Sequence, residues 1–579
     1  MSKSTKRKSL YTPMERFWQL LAAERREIVY LYIYAIIAGL ISLSLPLGIQ
    51  SIIAFVSSGE LTVSVVVLIS LIVLGLLLVG GMQIMQLWLV EYIQQRIFTR
   101  TAFDFVFRVP RLQLEALHKY YPPELMNRFF DTVSLQKSMA KLLTDFTTSA
   151  VQIVFGLILL SFYHPYFIVF SVIVVLMLLA ILYFTSAKGI DTSIAESKYK
   201  YKLVAWLQEM ARSMNIFKLA GQSDLPMQKT NGYVTSYLKA RKQHFRVLMM
   251  QYFSFVGFKT LITGGLLVLG CVLVIQREIN IGQFVASEIV IILIMTAVEK
   301  IIIKLDTIYD LLTSLDKIGE VTDLPLEDES GVDINNQGQG LSIQVNNLRF
   351  RYPKAEEHAI DGISFQVQPS ERVCIAGFNR SGKSTLSQLL LGLYSGYEGS
   401  IAYNNLSMRD LEKNSLRRLI GDNTSKEQVF DGTILENITL GIPNVPIEDV
   451  VWATDNVGLT DFIHALPEGL QTQLTGGSMR LPASVSRKII MARCLVLRPK
   501  MLLLDDFWGG MEKHEKLRLI QMLSSQEFGW TLLIISNDPE VMAICDRTLL
   551  LMDGKLVASG NFEDIQHTTY YQQLANLTT

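Results

Sequence analysis

The sequence predicts two domains of different class: an α-helical polytopic membrane domain of six spans, followed by an α/β domain built on a phosphate-binding loop. Three observations carry this. Six apolar runs long enough to cross a bilayer are confined to residues before about 303. Lys and Arg gather on one side of those runs. The segment GFNRSGKST (377–385) matches G-x-x-x-x-G-K-[ST] in full and lies between a strand pattern and a helix pattern.

A chain of 579 residues has room for several domains. It is 50% hydrophobic with a mean hydropathy of +0.31, high for a soluble protein of this length. The excess sits before about residue 310; after about residue 340 the composition is that of an ordinary globular domain. The formal net charge of zero gives no global case for nucleic acid, and no nucleic-acid partner is expected. Four cysteines, Cys271, Cys374, Cys494 and Cys545, are widely spaced with no CxxC pair, and read as buried free thiols. The polar N-terminus and the length of the first apolar run argue against a cleavable signal peptide.

A span needs about 20 apolar residues to cross a hydrocarbon core of about 30 Å. The runs 28–54, 62–90, 146–163, 165–186, 252–276 and 282–303 meet that standard, the third and fourth divided only by a turn at His164-Pro165. Orientation follows from the basic residues. Lys3, Lys6, Arg7, Lys8, Arg16, Arg25 and Arg26 precede the first span, Arg96 to Lys141 follow the second, and Lys188 to Lys218 follow the fourth. The three short connections opposite carry only Arg277, so both termini are expected in the cytoplasm. Each cytoplasmic segment has a helical pattern. Folded as two antiparallel helices of about 25 residues, each would project about 35 Å, a stalk suited to receive a push from a cytoplasmic domain. Two charges fall inside spans, Lys259 and Glu288. Counted from opposite ends of the bilayer they lie roughly 10 Å apart in depth, so Lys259 is expected to snorkel and Glu288 to face a wet cavity.

The acidic, Gly/Asn-rich stretch EDESGVDINNQGQG (327–340) reads as a linker. SIQVNNLRFRY alternates like a half-buried strand. RVCIAG (372–377), KMLLLDD (500–506) and TLLIISND (531–538) read as buried strands of a parallel sheet, and LLLMDGKLVASG as a hairpin turning at Asp553-Gly554. In the loop 377–385, Gly377 and Gly382 let the backbone curl so that its N–H groups face phosphates. Asn379, Arg380, Ser381 and Thr385 complete the loop, Lys383 reaches the terminal phosphates, and the Ser384 hydroxyl ligates magnesium. The helix that follows adds a favourable field for an anion. Asp505, ending MLLLD, is placed to hold magnesium through water. The expected ligands are therefore ATP and Mg2+.

On these residues the chain resembles an ABC exporter half-transporter: six membrane spans followed by one nucleotide-binding cassette. FDGTILENI (430–438) and ARCLVLRPKMLLLD (492–505) match family segments almost throughout. Tyr352 falls where the family stacks an aromatic on adenine. PELMNRFFDTVSLQKSMAKLL (123–143) resembles the first intracellular loop of peptide- and toxin-secreting members, and NIFKLAGQ (215–222) the segment whose helix contacts a partner's cassette. The resemblance implies a lead-in at 1–27, a transmembrane domain at 28–320, a linker at 321–340 and a cassette at 341–579, with no proteolytic leader domain ahead of the spans. It implies a multi-pass protein of a bacterial inner membrane, paired with a second half-transporter; the departures from the family pattern favour a heterodimer with a more complete partner over a homodimer. ATP would lie between one chain's phosphate loop and the other's signature, and an exported substrate, peptide or protein, would be moved.

Several family positions depart from the pattern. The loop glutamine becomes Ser425, and the five-residue signature becomes Leu481-Pro482-Ala483-Ser484-Val485. The catalytic glutamate becomes Asp506, one methylene short of a base that must come within about 2.6–3.2 Å of water. The switch histidine becomes Asn537, which donates hydrogen bonds but carries no proton charge, and the D-loop aspartate shifts to Glu512. Pro482 lacks a hydroxyl and an N–H but suits the first turn of a helix. An ATPase-coupled transporter whose own hydrolysis is slow is the expected activity. The alternative is an ATP-binding regulatory or assembly partner that does not itself pump.

Overall fold

The computed structural model describes residues 11–57, 63–118, 120–334, 338, 340–423, 429–474, 481–505 and 511–578. The chain divides into two compact units, one of residues 1–111 and 120–324, the other of residues 112–119 and 325–579.

The first unit is helical. Among its described residues, six helices are long and apolar enough to cross a membrane: Arg25–Ser57, Val63–Arg111, Pro122–Tyr163, Pro165–Arg212, Leu225–Ile275 and Ile281–Thr322. A helix satisfies its own backbone polar groups, which lipid cannot do. Three of these helices carry straight on into the polar segments beyond the bilayer, as Val63–Arg108, Pro165–Arg212 and Leu225–Ile275. Span and stalk are thus one continuous element in these three helices, a continuity that the predicted antiparallel stalks left open. Nothing in the sequence interrupts them; prolines stand at their starts, as Pro165 and Pro226 do. The last long helix is the central one: half of its apolar window is buried within the unit, against 17% for the second and fourth, whose Leu77, Leu87, Val169 and Leu176 face outward.

Close packing in this unit uses small residues. A Cβ on Gly156 would stand 2.8 Å from Ile294 Cγ1, so the Ile294 side chain of the sixth span packs directly onto the glycine of the third. Lys259 finds a carboxylate that the sequence reading passed over: its Nζ lies 3.2 Å from Glu299, one helix away. Glu288 is half-buried, and its Oε1 has no hydrogen-bond partner among the described residues. Beyond the bilayer Arg128 bonds Glu320 at 2.8 Å and lies 3.8 Å over the Tyr201 ring, while Tyr201 donates to Asp131. Of the four cysteines three are buried; Cys271, expected to be buried, is exposed on the fifth long helix.

The second unit holds two main sheets. Its strands are β1 Ile343–Phe350, β2 Ile360–Val367, β3 Arg372–Gly377, β4 Glu398–Tyr403, β5 Leu406–Ser407, β6 Ile420–Asp422, β7 Gly432–Thr433, β8 Gln473–Leu474, β9 Met501–Asp505, β10 Thr531–Ile535, β11 Arg547–Met552 and β12 Lys555–Gly560. A four-stranded sheet runs β2-β1-β4-β5 and a six-stranded sheet β12-β11-β3-β10-β9-β6; β7 pairs with β8. In the larger sheet β11, β3, β10, β9 and β6 are parallel. Successive side chains alternate faces. Met501 and Leu503 of β9, with Leu533 and Ile535 of β10, enter the core shared with the four-stranded sheet. Leu502, Leu504, Leu532 and Ile534 enter the core beneath the helices of residues 434–495. Burial on both faces is why these strands read as unbroken apolar runs. The β11–β12 hairpin turns at Asp553 and Gly554, both with positive φ (46° and 74°), as a two-residue turn of this twist requires.

Two further segments belong to this unit. Part of the acidic linker lies against it: Glu327 takes both arms of Arg417 at 2.6 and 2.9 Å, and Val332 pairs with Leu411. Residues 112–118 lie between long helices of the first unit in sequence yet fold here. Leu112 pairs with Leu326, and Gln113 donates its backbone N–H to Pro325 and its side-chain amide to Leu326.

The Gly156–Ile294 contact makes a direct prediction. Gly156→Val overpacks a buried helix crossing, a change that typically costs about 1–3 kcal/mol. The thermal midpoint of the detergent-solubilised protein should fall by several degrees, with nucleotide labelling retained. An unchanged midpoint would show that this crossing has slack.

Candidate functional site

The site forms where β3 stops. In a parallel sheet of this kind ligands collect at the carboxyl ends of the strands, and here β3, β10 and β9 all end together. Gly377 closes β3 with φ +152°, and a Cβ there would stand 2.2 Å from the Leu551 carbonyl oxygen of β11. No other residue fits. Arg380 turns the chain with φ +68°. Gly382, at φ +97°, then admits the Ala359 carbonyl, which a Cβ would approach to 2.6 Å. The helix Lys383–Leu390 starts at once. The β11–β12 turn braces the loop, with the Gly554 N–H donating to the Ser381 carbonyl at 3.2 Å.

These elements enclose a cavity of about 460 Å³. Asn379, Arg380, Ser381, Gly382, Lys383, Ser384 and Thr385 line it, with Tyr352 and Ala359 from the β1–β2 side. Asp505, Ile535, Ser536 and Asn537 line it from the ends of β9 and β10. Gly377 lies beneath, bonded to the wall. Lys383 Nζ reaches back over the loop to the carbonyls of Gly377 (2.6 Å) and Phe378 (2.7 Å). Two cationic side chains and a helix N-terminus face one carboxylate, an arrangement suited to a polyanion.

Asp505 is held by a residue the sequence reading missed. Asn423, at the end of β6, accepts from the Asp505 N–H at 2.7 Å and donates to its carbonyl at 3.3 Å. An asparagine after a short strand carries no signal of that role on its own. Asn537 is tied to the phosphate loop: its Oδ1 accepts from the Gly377 N–H at 3.0 Å, which leaves its amide N–H groups as the donors at the cavity wall. Beyond it Lys516 pairs with Asp538 and Glu540, and the ammonium holds the Glu540 carboxyl below its usual range. Ser425 and Asp506 lie outside the described residues.

Ser384 and Asp505 bring a hydroxyl and a carboxylate to one cavity. That donor set fits Mg2+, which is commonly held by one or two protein oxygens, phosphates and water. Among the described residues no group of three His, Cys, Asp or Glu side chains forms a metal cage.

The Tyr352 hydroxyl lies 3.0 Å from Thr385 Oγ1 and 3.3 Å from Gln388 Oε1, which fixes the hydroxyl at one end of the cavity. On the helical side of the unit, Pro482 is the residue just before the helix Ala483–Leu495, and its carbonyl accepts from the Ser486 N–H at 3.1 Å. The helix forms, without a side-chain cap. Glu512 precedes the helix Lys513–Leu523 and is exposed, also without a capping bond. One contact joins the segments FDGTILENI and ARCLV. Arg493, its guanidinium pushed down by burial, donates to the Asn437 carbonyl at 2.7 Å, and Asn437 clamps Phe430 and Thr433.

A membrane unit of six long helices joined to a phosphate-loop α/β unit defines a membrane protein with a nucleotide-binding cassette. Two family descriptions match it, "ABC transporter transmembrane region" over residues 28–298 and "ABC transporter" over residues 360–508. Together they take in well over half of the chain, which belongs to the ABC transporters as an integral multi-pass, ATP-binding member with the half-transporter architecture. The fold is that of a solved bacterial Atm1-family ABC exporter with ATP bound: TM-score 0.84, 18% identity, over 96% of this chain and 99% of that one. The chain is 31% identical over 250 residues to an uncharacterized ABC transporter ATP-binding protein of Bacillus subtilis (strain 168), covering 43% of each. It is 30% identical over 254 residues to an ATP-dependent lipid A-core flippase of Saccharophagus degradans, covering 44% of this chain and 43% of that one. It is 25% identical over 364 residues to a leukotoxin translocation ATP-binding protein of Mannheimia haemolytica, covering 62% and 51%. The matched stretches span about half, or less, of the length of these relatives.

The position of Lys383 predicts its mutant. Lys383→Ala removes the ammonium from the cavity, and labelling by a photoreactive ATP analogue should be lost while the fold persists. Undiminished labelling would mean that nucleotide binds elsewhere.

Proposed function

We propose that this chain is the ATP-binding half of a membrane exporter that works as a dimer and hydrolyses ATP slowly. The observation that carries the reading is the single cavity that gathers the phosphate loop, Lys383, Ser384, Asp505 and Asn537 in a chain with six membrane helices.

In this reading the loop N–H groups and Lys383 bind the triphosphate, and Tyr352 receives the base. Ser384 and Asp505 would hold Mg2+, which would neutralise charge developing on the phosphates. Asn537 offers hydrogen bonds from its amide, while its oxygen stays engaged by Gly377. It can position a phosphate oxygen or a water but cannot take up a proton. Asp506 is the remaining base, one methylene shorter than a glutamate. Pro482 leaves the signature helix without a hydroxyl and without an N–H at its lead residue. A partner chain cannot make either site whole. The Asp506 and Asn537 departures enter the site that uses this phosphate loop, and Pro482 enters the other.

Pairing with a second half-transporter has support of its own. The helix Met214–Leu219, at the turn between the fourth and fifth long helices, bears Ile216 at 68% and Leu219 at 88% exposure. Exposed apolar side chains at the tip of a solvated hairpin suit docking onto another surface, here a partner's cassette. A heterodimer with a more complete partner fits the departures better than a homodimer does. The likeness of residues 123–143 to peptide- and toxin-secreting members supports a peptide or protein substrate, with the termini on the cytoplasmic side of a bacterial inner membrane.

Two experiments test this. With Lys218→Cys and a cassette cysteine, cross-linking should capture a second chain; only intrachain products from a protein that is monomeric in mild detergent would refute the dimer. Steady-state turnover of the chain alone should lie far below one ATP per second, since loss of one acid–base group typically costs about 10²–10⁴-fold. Asp506→Glu with Asn537→His should raise it little. Adding Pro482→Ser, Ala483→Gly, Ser484→Gly and Val485→Gln should raise it much more, because losses within one cooperating site do not add. Several turnovers per second with transport in the unmodified chain would make these residues tolerated variants.

A further inference from the structure

Tyr352 has a neighbour that its place in the cavity does not require. The imidazole of His118 stands nearly parallel to the Tyr352 ring, with centroids 5.7 Å apart and planes 13° apart. Phe350 and Tyr394, both buried, meet the same ring edge on at 5.0 and 5.5 Å. His118 alone comes from outside the strand core, at the end of the four-residue helix Leu114–Leu117.

That helix is firmly seated. Leu112 is buried and Leu114 packs against the core that holds Tyr352. Glu115 Oε1 accepts from the Ser395 N–H at 2.6 Å and the Ser395 hydroxyl at 3.2 Å. Those acceptor bonds fix the stretch just after Tyr394. The turn carrying His118 is therefore anchored on both sides of the aromatic group it touches.

The hydroxyl bonds of Tyr352 leave one freedom open. Rotation of the ring about its Cγ–Oη axis moves neither the hydroxyl nor its partners Thr385 and Gln388. Only groups touching the ring itself set its plane. A stacking surface depends on that plane, because aromatic pairs prefer offset-parallel or edge-to-face arrangements within about 4.5–7 Å.

We infer that His118 is a positioning residue for the nucleobase: it sets the plane in which Tyr352 meets a purine, so that base recognition depends on the seated 112–118 turn. The inference rests on the reading of Tyr352 as the base platform.

The test uses the full-length protein in detergent and measures the affinity of ATP and of inorganic tripolyphosphate, which has no base, by competition against a photoreactive ATP analogue. His118→Ala should weaken ATP by about 2- to 12-fold, the range an aromatic pair contributes, and leave tripolyphosphate unchanged. His118→Phe, which keeps a flat ring, should restore ATP binding. Tyr352→Ala should cost more, and His118→Ala should add nothing to it. Equal loss for both ligands would assign His118 a merely structural role, and no loss for either, or the full loss repeated on the Tyr352→Ala background, would overturn the inference alone. If Tyr352→Ala leaves the preference for ATP over tripolyphosphate intact, the platform reading falls and the inference with it.

Discussion

The cassette depends on how one strand ends. β3 lies between β10 and β11, and at Gly377 its backbone passes so close to the Leu551 carbonyl that no side chain fits. That approach directs the chain outward into the loop instead of onward along the sheet. Arg380 and Gly382 then complete the curl at positive φ, and the helix begins at Lys383 with its N-terminus facing the cavity. Asp505 and Asn537 arrive at the same edge because β9 and β10 pair in parallel with aligned registers, Ile535 lying opposite Asp505. The chemistry of the site follows from that alignment.

Much of this was legible in the sequence because it rests on local rules. A phosphate loop needs glycines at fixed spacing, a buried parallel strand needs an unbroken apolar run, and a bilayer span needs about 20 apolar residues. Where the sequence was silent, a nonlocal contact decided the outcome. The sequence indicates long helical stalks but not how they join the spans; the helix of Leu225–Ile275 continues through Arg241 and Lys242 without a break, since a polar helix exterior costs nothing outside lipid. Lys259 pairs with Glu299, 40 residues on, a partner that local spacing does not reveal. Residues 112–118 contain no boundary signal, yet their partners Pro325, Leu326 and Ser395 all lie in the second unit. Asn423 holds Asp505 across 82 residues, a pairing that spacing cannot reveal.

The departures from the family pattern divide by mechanism. Binding elements are retained: the loop, its lysine, the hydroxyl and carboxylate suited to magnesium, and an aromatic at the cavity end. In the proposed function, the altered positions are those that would move protons or close a second chain over the phosphates. Asn537 shows what such an alteration does physically. It keeps a hydrogen-bonding side chain at the switch position and uses its oxygen to brace Gly377. On the proposed reading, Asn537 supports the binding loop and lacks the proton chemistry of a histidine. This is why we propose a site that holds nucleotide longer than it takes to consume it in a complete exporter.

The most direct measurement is a single turnover. The purified chain is loaded with radiolabelled ATP and magnesium, freed of excess nucleotide, and quenched over minutes. This account predicts that the bound nucleotide is still ATP over the first seconds and passes to ADP only slowly, over the minutes that follow. Bound nucleotide found as ADP within the first second would contradict it.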